Sequence, residues 1–207
     1  MTFSSTQPQE YNSQDFKKVA LKNDRICLKT FNSCTFNKCV FNETVFQDCR
    51  FRDCSFLGCD LSLVRLKDCS FANTRFEDSQ VIGVNWTETS WGNSKIIFKP
   101  VDFFGCVINH STFMGLNLKK VIISKCIARE VSFEEANLTQ ANCRFSDFMN
   151  SRFIHANLTE ADFTGARNYT IAPGMNTLKK TAFSLPEAMS LLYNLDIRLT
   201  DDIGEEE

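Results

Sequence analysis

Proline and glycine are scarce in this chain of 207 residues, with 4 and 8 copies, and histidine occurs only twice. That composition excludes collagen-like and low-complexity classes. With His110 and His155 as the only imidazoles, histidine-based chemistry has almost no material. A basic excess is also missing: the formal net charge is −2, which argues against a nucleic-acid binder held by phosphate contacts. Nowhere do 18 apolar residues run together, so no membrane-spanning helix is expected. Residues 1–15 hold neither a basic stretch nor an apolar core, so no secretory signal is expected and the expected compartment is the cytoplasm. Against 3 Tyr and 2 Trp, however, stand 20 Phe and 10 Cys.

The phenylalanines fall on a period. Phe16, Leu21, Ile26, Phe31, Phe36, Phe41 and every fifth residue onward to Trp86 and Trp91 are large and apolar. A second train runs from Phe98 and Phe103 through Phe133, Leu138 and Phe153 to Phe163, again in steps of five. Of the 20 Phe, 16 lie on the two trains, where chance would put about one in five. Two positions before each large residue stands a small one, among them Cys34, Cys39, Cys49, Cys54, Cys59, Cys69, Cys106, Cys126, Ala136, Ala141 and Ala161. Neither a helix of period 3.6 nor a strand of period 2 keeps such a pattern on one face.

A chain that turns a corner after each five-residue unit does keep it. Four units make a square coil of about 20 residues, and coils stack at about 4.8 Å, so the whole rod is expected to be about 35–40 Å long. The large and small residues point inward and the rest face solvent. On this reading the small column has a steric cause, since a narrow interior has no room for two large side chains per unit. Eight of the ten cysteines belong to that column, and none has the C-x₂-C spacing of a zinc site, so they are expected to be buried filler. No cofactor, metal or catalytic residue is expected, because no nucleophile–base pair, Gly-rich phosphate loop or HExxH occurs.

Units such as Ala136-Asn137-Leu138-Thr139-Gln140, Ala156-Asn157-Leu158-Thr159-Glu160 and Ala161-Asp162-Phe163-Thr164-Gly165 match A(D/N)LXX. They resemble the pentapeptide-repeat proteins over about residues 16–167. The resemblance implies an all-β solenoid, a right-handed quadrilateral β-helix. Within that family the size is similar to the topoisomerase-protecting group, the Qnr-type quinolone-resistance proteins and the microcin immunity protein. It implies a non-enzymatic protein that guards DNA gyrase or topoisomerase IV from poisons by imitating DNA, with no direct contact to nucleic acid or membrane. The rival reading is a rigid protein-interaction scaffold with a different partner.

The segments and surfaces are then assigned as follows. Residues 1–15 form a polar N-terminal cap, residues 16–167 the repeats, and residues 168–207 a C-terminal cap ending in an acidic tail. The step of seven from Trp91 to Phe98 reads as two inserted residues, a break at 92–100. Sorting by wall gives an acidic file of Asp48, Asp68 and Glu88, continued past the break through His110 and Glu130 as a partner-binding site. The preceding wall shows outward apolar residues Val40, Leu63, Ile82, Phe104, Ile122 and Phe145, a second partner-binding candidate. Ser184-Leu185-Pro186-Glu187 reads as a capping box opening a short helix over about 185–194. Its apolar face, Leu185, Ala188, Met189, Leu192 and Leu195, would lid the last coil or pair two chains as a homodimer.

Overall fold

The computed structural model describes residues 9–90, 101–195 and 197, and the break at 92–100 lies outside the described residues. The chain winds as a four-walled β-helix in which every named strand pair is parallel. The first wall stacks Gln9–Asn12, Lys29–Asn32, Arg50–Arg52 and Ser70–Ala72. The second stacks Asp15–Lys17, Thr35–Asn37, Ser55–Leu57, Thr74–Glu77, Val101–Phe104 and Ile123–Ser124. The third is a ladder of single bridges from Ala20↔Val40 to Asp147↔Arg167. The fourth opens with Arg25–Cys27, Val45–Gln47 and Arg65–Lys67.

Nearly every described corner has the same backbone cause, Glu88 at the end of the 3₁₀ turn Trp86–Glu88 being an exception. The residue two after the large one sits in the left-handed region, as in Lys38 (φ 52), Asp48 (φ 53), Leu63 (φ 58) and Gln140 (φ 59). A non-glycine residue there costs roughly 1–2 kcal/mol, offset by the coil-to-coil hydrogen bonds that the turn makes available, such as Asp48 N–H to Lys67 O at 3.0 Å. Repeating the turn every five residues closes the square. Inside it the rings stack along the rod. On the second wall Phe16, Phe36, Phe56, Phe76 and Phe103 follow at centroid distances of 4.9, 4.5, 4.8 and 5.2 Å. Edge-to-face contacts tie neighbouring walls together, as between Phe31 and Phe36 at 5.3 Å. Each buried Phe contributes about 1.5–3 kcal/mol, and a void of about 10 Å³ remains where Leu61 and Leu66 replace Phe.

The coil runs further at both ends than the expected 16–167. Tyr11 is buried and stacks on Phe31 at 5.1 Å, so the N-terminal coil begins inside the stretch expected to be a cap. Past residue 167, Ile171 pairs with Phe153, and Thr177 and Ala182 bridge to Asn157 and Asp162. Phe163, Tyr169 and Phe183 plug that end, their ring centroids 5.4–5.9 Å apart. The terminal helix exists, but it is a 3₁₀ helix over Glu187–Asn194. No capping box forms: Ser184 Oγ accepts from Gly165 N–H at 2.9 Å, and Glu187 Oε1 accepts from Asn168 N–H. Both side chains are used to tie the helix to the last coil.

Candidate functional site

The outward files depend on how the two repeat trains are phased, and the structure corrects that phase. Phe76 pairs with Phe103, Gln80 with Val107 and Asn85 with Thr112. These partners, like Val84 and Ser111, are 27 residues apart, where coils elsewhere in the repeats, as at Cys39 and Cys59, repeat at 20. The surplus is therefore seven residues, not two. A period of five cannot distinguish the two cases, because both leave the same remainder.

The acidic file changes accordingly. Asp48 and Asp68 are exposed corner residues one coil apart, and Asp68 N–H donates to Glu88 O at 3.0 Å, placing Glu88 next in line. Glu88 is half-buried and accepts from Asn85 Nδ2 at 3.3 Å. Among the described residues neither Asp48 nor Asp68 enters an ion pair. With the 27-residue step the file continues through Gly115, Glu135 and His155, whose Gly115 and Glu135 N–H groups bond Glu134 O and Ile154 O at 2.8 Å. Glu130 does not belong to it. It lies on the third wall in the file of Leu63, Gly83 and His110, and its Oε2 is 3.3 Å from His110 Nδ1. The backbone also selects these residue types, because Asp, Asn and His tolerate the left-handed corner better than most. Arg65 and Lys67 point outward on the same wall as Asp48 and Asp68.

The apolar wall is divided by the same shift. Leu63, 54% exposed, and Ile82 lie on the third wall, while Phe104 and Phe145 lie on the second. The third wall instead continues through Val107, Ile127 and Met149. On the second wall the rings are covered by cations: Arg75 and Lys125 Nζ stand 5.6 and 5.2 Å from the Phe104 centroid, and Arg144 stands 5.3 Å from that of Phe145. Phe145 lies flat across Gly165, where an added Cβ would come within 2.4 Å of the ring.

At the C-terminal end the expected lid face turns outward. Leu185 is 77% exposed and Tyr193 73%, with Met189, Leu195 and Ile197 exposed beside them. Leu192 is half-buried, and Leu191, outside the expected set, packs against the core. Three residues per turn instead of 3.6 rotate the inward position along the sequence.

A buried carboxylate on the third wall was not singled out from sequence. Asp147 accepts from Arg129 Nη2 at 2.7 Å, Asn168 Nδ2 at 2.9 Å and Met149 N–H at 3.2 Å, with Arg167 Nε at 3.5 Å. Burial opposes its ionisation, but the bonds from Asn168 and Arg129 outweigh it and hold its pKa below the usual carboxylate value. It ties the last three coils together. Its only sequence signal is a charged residue at the position before Phe148.

Two family profiles match the chain: the pentapeptide repeat region over residues 29–99 and eight copies of the pentapeptide repeat over 126–165. Among solved structures, trypsin-treated QnrB1, a plasmid-mediated fluoroquinolone resistance protein, superposes with a TM-score of 0.60 at 15% identity, covering 94% of this chain and 100% of that one. Full-length QnrB1 gives 0.50 at 17% identity, covering 91% and 100%. At such identities the likeness concerns the fold. No curated protein matches.

Proposed function

Because the chain belongs to the pentapeptide-repeat family and displays fixed outward files, we propose that it acts by binding, shielding a type II DNA topoisomerase, DNA gyrase or topoisomerase IV, from poisons in the cytoplasm. The observation that carries this reading is the exposed pair Asp48 and Asp68, without an ion pair among the described residues and followed by Glu88, on one rigid wall. DNA also presents a regular line of negative charge, so the file imitates duplex DNA in the enzyme's DNA groove. The fold it shares with QnrB1 supports the same assignment. Two copies pair through Leu185, Met189, Tyr193 and Leu195, which together leave an apolar surface open at the rod's end.

The test is gyrase supercoiling in the presence of a fluoroquinolone. Addition of the protein is expected to restore supercoiling, and the protein is expected to bind gyrase directly. Absence of both binding and protection overturns the proposal. A second reading rests on the third wall, where Leu63, Ile82, Val107 and Ile127 present one outward apolar side chain on each of four successive coils to a protein partner. Under that reading Leu63→Glu abolishes partner binding while Asp68→Lys leaves it intact.

A further inference from the structure

The small inward column holds thiols in vertical pairs. Cys39 and Cys59 stand one coil apart on the third wall, as do Cys106 and Cys126, and Cys49 and Cys69 do so on the first; all six are buried. Neighbouring pairings Val40↔Asp60, Val107↔Ile127 and Ser70↔Arg50 hold them in register. The thiols donate weakly to backbone carbonyls, Cys39 to Phe16 O at 3.4 Å and Cys59 to Phe36 O at 3.2 Å, and Cys39 N–H donates to Cys59 Sγ at 3.4 Å.

Equivalent atoms on successive coils repeat at about 4.8 Å. Two metal–thiolate bonds of about 2.3 Å laid end to end span nearly the same distance. Among the described residues no group of three or more His, Cys, Asp or Glu converges, so a four-coordinate zinc site is excluded there. Softness and charge then choose the ion. Thiol sulfur selects soft cations, and an apolar interior tolerates no net charge. A monovalent ion that displaces one proton from a thiol pair leaves the site neutral.

We propose that the stacked pairs Cys39–Cys59, Cys49–Cys69 and Cys106–Cys126 are two-coordinate sites for a soft monovalent cation of the Cu(I) or Ag(I) class. In each, two sulfur–metal bonds form, one S–H bond breaks, and its proton leaves to solvent, the second thiol staying protonated. The Cys39–Cys59 site gives up the weak bond from Cys39 Sγ to Phe16 O, 3.4 Å long. This inference is independent of the topoisomerase reading.

The experiment is an Ag(I) titration of the full chain in chloride-free buffer, followed by native mass spectrometry and by proton release. A Cys27→Ala background removes the one half-exposed thiol among the described residues. The folded protein is expected to take up silver with one proton released per ion and a raised Tm. Cys39→Ser/Cys59→Ser, which keeps a hydroxyl at each position and an unchanged circular dichroism spectrum, is expected to bind one ion fewer. Uptake only after denaturation, or an unchanged count in the double variant, overturns the proposal.

Discussion

The two ends of the rod turn the same corner by different chemistry. In the N-terminal half the residue before the large one is often β-branched, basic or Ser, as in Thr35, Val45, Arg50 and Ser55, and these units are short strands. Its small inward residue is often a donor that staples two coils: Ser79 Oγ accepts from Cys59 N–H at 2.9 Å and donates to Phe56 O at 3.2 Å. In the C-terminal half the preceding residue is Asn or Asp in about half of the units. Asn137, Asn142, Asn157 and Asp162 accept through Oδ1 from the N–H two residues on, at 2.8–3.2 Å. The corner N–H then bonds within its own turn, as Ala141 N–H to Leu138 O at 2.9 Å, and alanine suffices inside. Asp60 makes the same pair of bonds in the other half. It accepts from Ser62 N–H at 3.0 Å and is followed by the in-turn bond from Val64 to Leu61. The in-turn bond also forms after Val40, Thr112 and Ser132, as Thr44 N–H to Phe41 O at 3.0 Å, so an Asn or Asp before the large residue accompanies this corner without being required for it.

That contrast can be broken in order of expected effect. Phe51→Asp buries an unpaired carboxylate in the ring stack and is expected to cost about 4 kcal/mol or more, enough to abolish the cooperative thermal transition. Ser79→Ala leaves the Cys59 N–H without its partner and is expected to cost about 1–3 kcal/mol by urea unfolding. Ala161→Ser, where the corner N–H already bonds Leu158 O at 2.9 Å, is expected to change stability by less than about 0.5 kcal/mol. Equal costs at the two sites contradict the assignment of two corner types.

The C-terminal half is also expected to be the acid-sensitive one. Asp147 has a folded pKa below its unfolded value of about 3.9. Its stabilisation is therefore fully present well above that value and is lost as pH falls through it toward the folded pKa. Amide exchange relative to its intrinsic rate, in coils containing Arg129, Asp147 and Arg167, should rise as pH falls from 5 toward 3 (roughly the span of that titration). The Asp147→Asn protein should lose this dependence.

The fold was legible because a five-residue period survives any number of coils, and Phe51 or Phe133 reports it alone. The small column was legible as a pattern but only half explained, since spacing shows size and not the bond that Ser79 or Cys39 donates. Across the break the sequence could not say which wall Phe103 occupies. The error placed Glu130 in the acidic file and grouped Phe104 and Phe145 with Leu63, from which the structure separates them. The terminal helix was visible as an apolar period, but its 3₁₀ pitch follows from contacts of Ser184 and Glu187 with the last coil, which no local pattern encodes.

The most direct measurement is gyrase affinity, compared for Asp68→Lys and Glu130→Lys. Both reverse one exposed carboxylate, and the sequence alone placed both in one file, whereas the structure keeps only Asp68 there. Loss of binding in Asp68→Lys with binding retained in Glu130→Lys is the predicted result. Equal loss in both variants, or binding retained in both, contradicts the account.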